Sequence, residues 1–168
     1  GDFSPNDRIL EERATDGGGR TISTNLGYEI NPNNSVRFNA QFIKGSGETD
    51  TIRRTTDLKV IPNVDFFQRE ESPGEQENWE IGGDYEYLAP RGNRFKVLFI
   101  SNSFTQDRTR ERWDIIGQRA EDKNLFLDSG SVTKERIIRS SYTLDLFGGS
   151  QDIELGAERA QTILDSNL

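Results

Sequence analysis

Three times along the chain, apolar and polar residues alternate in paired runs joined by turn-forming residues. In the last of these, Ile138, Tyr142, Leu144 and Leu146 fall on one side and Arg139, Ser141, Thr143 and Asp145 on the other. Past Gly148-Gly149, Ile153, Leu155 and Ala157 alternate with Asp152, Glu154, Gly156 and Glu158. A period of two marks a strand with one face in apolar surroundings and one in water. The first pair places Ile22, Thr24, Leu26, Tyr28 and Ile30 on one face, then Val36, Phe38, Ala40 and Phe42 beyond Asn31-Pro32-Asn33-Asn34-Ser35. The second runs Trp79, Ile81, Gly83, Tyr85 and Tyr87, turns through Ala89-Pro90-Arg91-Gly92-Asn93, and returns as Phe95, Val97 and Phe99.

These patterns predict registers. Ile30 against Val36 sets Tyr28 opposite Phe38 and Glu29 opposite Arg37; Tyr87 against Phe95 sets Glu86 opposite Lys96. Aromatic pairs on one face and opposite charges on the other each stabilise a ladder by roughly 0.2–1 kcal/mol. Leu144 against Ile153 sets Arg139 opposite Glu158, at the cost of Asp145 beside Asp152. The expected fold is all-β: an antiparallel meander of about six strands in three hairpins, part of a β-barrel or curling into one. It forms a single barrel segment over 1–168, with hairpins at about 20–44, 78–103 and 136–164. Residues 1–19 read as an acidic, Gly-rich loop, and 45–76 and 104–133 as long loops. The first of these loops is broken by Pro62 and Pro73, with a short strand or pinned loop near 60–67; the second admits a short helix near Trp113, Ile115 and Ile116.

Composition narrows the chemistry. Only 32% of the 168 residues are hydrophobic and 30% are charged, but ten Phe, four Tyr and two Trp argue against disorder. The net charge of −8 and the lack of a Lys/Arg block speak against nucleic-acid binding. With no cysteine and no histidine, disulfides, thiolate metal sites and His-based triads are excluded. No run approaches the ~20 apolar residues of a membrane helix. Lacking a signal peptide and an initiator Met, the chain reads as a piece of a longer, processed polypeptide.

No catalytic, cofactor-binding or metal site emerges, and no enzyme is expected. Glu80 and Asp84 are the best carboxylate pair for acid–base work, but they sit on the polar face of a strand, where salt-bridged carboxylates are ordinary. Asp16-Gly17-Gly18-Gly19-Arg20 lacks the Lys-Ser/Thr of a phosphate loop and reads as a flexible linker. Residues 47–50 lack the spacing of a calcium loop.

The aromatics Tyr28, Tyr87, Phe95 and Phe147 cluster near the short turns. Ordinary sheet-core packing is one reading; a girdle at a membrane interface is the other. Runs of nine to eleven residues, short turns at one end, long loops at the other and a charged second face favour the girdle. A soluble barrel with its apolar face inward, binding a small apolar ligand, has the same alternation.

Residues 141–168, SYTLDLFGGSQDIELGAERAQTILDSNL, resemble the mid-barrel of bacterial TonB-dependent outer-membrane receptors, with Glu154 to Leu168 matching a strand of the form "-ELGAE-a-n-LDS-L". LGYEINPNNSVRFNAQF, residues 26–42, is similar to their hairpins with "N-P-N" turns. The resemblance covers about half the chain. It implies a large barrel in the bacterial outer membrane, closed by a plug and importing a scarce nutrient such as an iron–siderophore complex with energy relayed by TonB. The chain shows no plug and no TonB-contacting box, so it would be a barrel segment needing lipid and further strands, prone to self-association alone. Its long loops would meet the substrate first; no ligand-binding residue carries over.

Overall fold

A computed structural model describes residues 5–117, 120–146 and 151–168. It is one six-stranded antiparallel sheet in which each strand pairs with its neighbours in sequence. The strands are β1 Asp7–Asn31, β2 Asn34–Asp57, β3 Val64–Leu88, β4 Arg94–Ile116, β5 Ala120–Leu146 and β6 Gln151–Asn167. The all-β meander is therefore as expected, and the sheet is open, with β1 and β6 as its edges.

The strands are far longer than the alternation implied. β2 has 24 residues and β5 has 27, or about 80–90 Å of extended chain. The expected loops at 1–19, 45–76 and 104–133 are mostly strand: β1 begins at Asp7, and of the second stretch only 58–63 connects strands. The Gly17-Gly18-Gly19 stretch lies inside β1, opposite Gly47, Ser46 and Gly45, and is not a linker. Trp113 and Ile115 belong to β4, so the short helix is absent too. The physical reason is common to all of these. Alternation reports a difference between two faces, and in these stretches apolar residues are scattered over both faces without a consistent contrast. The backbone ladder continues without it, steadied by cross-strand charge pairs. Pro73, which has no N–H to donate, is accommodated inside β3 where the β3–β4 pairing skips it and Ser72.

Two of the three registers are as expected: Tyr87 faces Phe95 with Glu86 opposite Lys96, and Leu144 faces Ile153 with Arg139 opposite Glu158. The Gly148-Gly149 turn lies outside the described residues. The first register is corrected by two positions. Asn31 pairs with Asn34 across only two residues, and Tyr28 faces Val36, Leu26 faces Phe38 and Gly27 faces Arg37. Asn31 Oδ1 accepts from the Asn33 backbone N–H at 3.0 Å and from Asn34 Nδ2 at 2.8 Å, which draws the turn tight. A bulge between Glu29 and Asn31 absorbs the odd residue, so Tyr28 and Val36 keep a common face. Arg37, freed from Glu29, reaches Asp84 on β3, with Nε–Oδ1 at 3.1 Å.

Two glycines give opposite expectations. A Cβ on Gly83 would meet Arg37 O at 2.8 Å and the Phe99 ring at 3.0 Å, whereas one on Gly18 meets nothing within 4 Å. Gly83→Val is expected to destabilise by about 1–3 kcal/mol through overpacking. Gly18→Ala is expected to stabilise by about 0.5–1 kcal/mol through reduced unfolded-chain freedom. Thermal melts followed by circular dichroism check both; shifts of the same sign would contradict this account.

Candidate functional site

Following the register across all six strands sorts the side chains onto two faces. Near the 31–34 and 89–93 turns, one face carries Ile22, Leu26 and Tyr28 of β1, and Val36, Phe38, Ala40 and Phe42 of β2. It continues with Trp79, Ile81, Tyr85 and Tyr87 of β3 and Phe95, Val97 and Phe99 of β4. Ile138, Tyr142 and Leu144 of β5, then Ile153, Leu155 and Ala157 of β6, complete it. The opposite face over the same height is mostly polar, with Asn25, Asn39, Asp84, Glu86, Lys96, Arg139 and Glu158, and with Leu98, Ile100 and Ile137 as its apolar members.

Nothing covers the apolar face. Ile22 is 71% exposed and Leu155 63%, and among the described residues no hydrophobic side chain is buried. Such an area far exceeds the few hundred Å² a soluble monomer normally leaves open.

Both borders of this band are aromatic. Tyr87, Phe95 and Tyr142 form a row across three strands at the turn side, with Tyr28 and Tyr85 close by. Phe42 and Trp79 face each other on the far side. Of the girdle aromatics expected from sequence, Tyr28, Tyr87 and Phe95 thus share one face, and Phe147 lies outside the described residues. From Trp79 to Tyr87 the strand covers about 26 Å.

The band also runs obliquely. Val36, where it begins on β2, is level through Tyr85 and Val97 with Ser140 on β5, yet the band there extends six positions further, to Leu146. On the far side, Phe42 is level through Trp79 and Ser103 with Lys134, but the band on β5 stops four positions short of it, at Ile138. A shift of four to six residues over three strand steps corresponds to a strand tilt of about 40–55°, given ~3.3 Å per residue and ~4.8 Å between strands.

Beyond the band the strands continue as a sheet of mixed faces, with scattered apolar residues such as Leu10, Ile52, Phe67 and Phe104 among ion pairs. On the polar face, Arg110 grips Glu70 with both guanidinium arms, Nε–Oε1 at 2.7 Å and Nη2–Oε2 at 2.8 Å, and Arg53 holds Glu11 likewise at 3.1 and 2.8 Å. On the band's face, Arg69 stacks 4.3 Å from the Trp113 ring centroid and pairs with Glu121, and Arg54 pairs with Asp65 at 2.5 Å. These donors hold the carboxyls of Glu70, Asp65 and Glu11 below their ordinary range; for Glu70 the Arg110 hydrogen bonds outweigh a partial burial that acts in the opposite sense.

Glu80 and Asp84 share the polar face but stand four residues apart on one strand, about 13 Å, too far to act on one bond. Asp84 instead pairs with Arg37. Among the described residues, no group of three or more Asp, Glu, His or Cys is arranged to hold a metal ion. At the glycines Gly17, Gly18, Gly47 and Gly74 the sheet is thin, and a shallow groove of about 640 Å³ opens there, edged by Asp16, Glu48, Glu75 and Asp107.

No family model matches the chain, and no curated protein matches it. Among solved structures, the membrane pore complex of Pneumolysin aligns at 7% identity and a TM-score of 0.16, over 94% of this chain and 31% of that one. The chain thus spans about a third of that protein's length, and the likeness is too slight to carry any argument. No helix among the described residues is long and apolar enough to cross a membrane, which leaves crossing by strands open.

The paired carboxylates fix an acid response. A carboxyl with a lowered folded pKa contributes stability that is present above its unfolded value, near 4.5 for Glu70, and is lost as pH falls through the folded value. Hydrogen exchange in 68–72 and 108–112 is therefore expected to accelerate below about pH 4.5 relative to the band strands. Arg110→Ala is expected to cost about 0.5–1 kcal/mol at neutral pH and to flatten that response. An unchanged acid profile in the variant would refute the assignment.

Proposed function

We propose that this chain is a membrane-crossing portion of a β-barrel, with its apolar face toward lipid and its polar face toward a water-filled interior. The observation that carries the reading is the uncovered apolar band, bordered by aromatics and oblique to the ladder. A membrane barrel needs an outward band about 25 Å tall, aromatic girdles at both margins and strands tilted by 35–45°. The nine residues from Trp79 to Tyr87 on β3 match the nine to eleven that a tilted membrane strand needs, and the far margin's tilt of about 40° fits as well.

The resemblance of 26–42 and 141–168 to TonB-dependent receptors makes the finer reading the barrel portion of such a receptor in the bacterial outer membrane. It would take part in importing a scarce nutrient such as an iron–siderophore complex. The edge strands β1 and β6 present unpaired backbone groups that cannot remain so in hydrocarbon, so closure would come from further strands. The polar extensions of β1 to β5 would then stand outside the bilayer, where substrate arrives. A soluble barrel with an apolar interior would need the band folded inward, and the open sheet with every apolar residue uncovered gives that alternative no support.

The absence of cysteine permits a direct test, because single cysteines can be placed at will. Nitroxide labels at Leu26→Cys, Ile81→Cys and Phe99→Cys, with the chain in lipid nanodiscs, should be relaxed by dissolved oxygen and shielded from a water-soluble nickel chelate. Labels at Asn25→Cys, Glu80→Cys and Asn102→Cys should show the reverse. Equal chelate access on both faces would sink the proposal.

A further inference from the structure

The margin of the band away from the 31–34 turn carries a feature that the hydropathy pattern alone does not explain. On β1, the first residue of the apolar face beyond Ile22 is Arg20; on β2, beyond Phe42, it is Lys44. On β5, Arg136 and then Lys134 follow Ile138, and on β6 Arg159 follows Ala157. Four of six strands thus pass from apolar residue directly to cation, along the same oblique line as the band. All five side chains are exposed. The two central strands place Glu77 and Ser101 at the equivalent positions. The turn-side margin differs: the next residues of this face are Asn34 on β2 and Gln151 on β6.

The cations are juxtaposed against the sheet's own habit. Several cations elsewhere in the chain meet a carboxylate on the neighbouring strand, as in Arg37–Asp84, Arg53–Glu11, Arg110–Glu70 and Arg139–Glu158. Here Arg20 stands directly opposite Lys44, and Arg159, opposite Ile138, is diagonal to Arg136. Like charges across a ladder destabilise it. Among the described residues Arg20, Lys134, Arg136 and Arg159 make no ion pair, while Lys44 stands opposite Glu77 on β3 and has a Glu75 oxygen at 3.9 Å. An anion between each pair would remove the repulsion. The site adjoins a surface suited to acyl chains, so the complementary ligand joins an anionic head to an apolar tail.

We propose that this rim binds the phosphate groups of anionic lipid headgroups in the leaflet on its side of the membrane. This rests on the membrane reading above and adds to it a lipid preference and an anchor of fixed height. Long Arg and Lys side chains lie along apolar surface while their charged ends reach the headgroup layer, which suits residues at the edge of the band. Arg forks a phosphate with two parallel hydrogen bonds, so the three arginines supply geometry as well as charge. The net charge of −8 opposes anionic lipid overall, so any preference for it must come from a local cluster.

The test is flotation of the chain, diluted from mild detergent, with vesicles of phosphatidylcholine alone or mixed with phosphatidylglycerol. The wild-type chain is expected to bind the mixed vesicles about tenfold more tightly: each cation near an anionic surface contributes up to roughly a fivefold gain, and the chain's net charge of −8 offsets most of their product. R20Q/K44Q/R136Q/R159Q should lose that preference and keep its binding to phosphatidylcholine, while R20K/R136K/R159K should retain most of it. Equal wild-type affinity for both vesicles, or a preference surviving in the glutamine variant, would overturn the rim and leave the band standing. Loss of the preference on adding inorganic phosphate, but not chloride of equal ionic strength, would assign the rim to free phosphate and overturn the lipid assignment. Failure to float with either vesicle would overturn the membrane reading and the rim with it.

Discussion

A single β-sheet cannot hide one of its own faces. Everything else about this chain follows from that constraint, because its six strands form one layer and no second layer packs on it. Stable domains solve the problem by laying a helix or another sheet over the apolar side. Here the apolar side chains stand clear while the backbone is paired along nearly the full length of each inner strand. The hydrogen-bond ladder supplies order and the apolar band supplies a demand for cover. Hydrocarbon meets that demand without a second protein layer, provided that the backbone stays paired.

The two halves of each strand rely on different physics. In the band half, aromatic rows such as Tyr87–Phe95–Tyr142 set the register on one side and polar pairs such as Arg139–Glu158 on the other. In the far half, neither face is consistently apolar and the register is read by charge: Glu11 with Arg53, Glu70 with Arg110, and Arg69 on Trp113 with Glu121. Each exposed pair contributes little by itself, and the long ladder makes them additive in register. A slip of one residue would turn every one of them to the wrong face. The edges have less support, since β1 and β6 are exposed throughout and paired on one side only.

How much of this was legible in the sequence depended on contrast between faces. Ile81, Tyr85, Tyr87 and Phe95 alternate with Glu80, Asp84, Glu86 and Lys96 clearly enough to fix both the strands and the second hairpin's register. Residues 45–57 and 104–112 offer no such contrast, so their strands were invisible to a pattern that measures amphipathicity. The first turn misled for a local reason: NPNNS reads as a five-residue loop, and only the Asn31 side chain's two hydrogen bonds show that two residues suffice. The cationic rim was written in single residues, and became visible only when the register placed Arg20 beside Lys44 and Arg159 beside Arg136 and Ile138.

Between the two halves lies a belt rich in glycine. Gly17, Gly47 and Gly74 are level across β1, β2 and β3, and Gly18 and Gly130 are level through Ser46, Glu75 and Asp107. Glycines at one height in four strands weaken strand propensity, a cost that the neighbouring cross-strand pairs must offset. The gain is local freedom for the backbone to bend, where bulky residues on both faces would stiffen it. The belt sits just past Arg20 and Lys44, where the rim ends and the ion-paired extension begins. A boundary there lets the extension take its own curvature without shifting the height of the band. The oblique run of apolar residues and the level run of glycines then serve separate ends, one set by the surroundings of the sheet and the other by its own backbone.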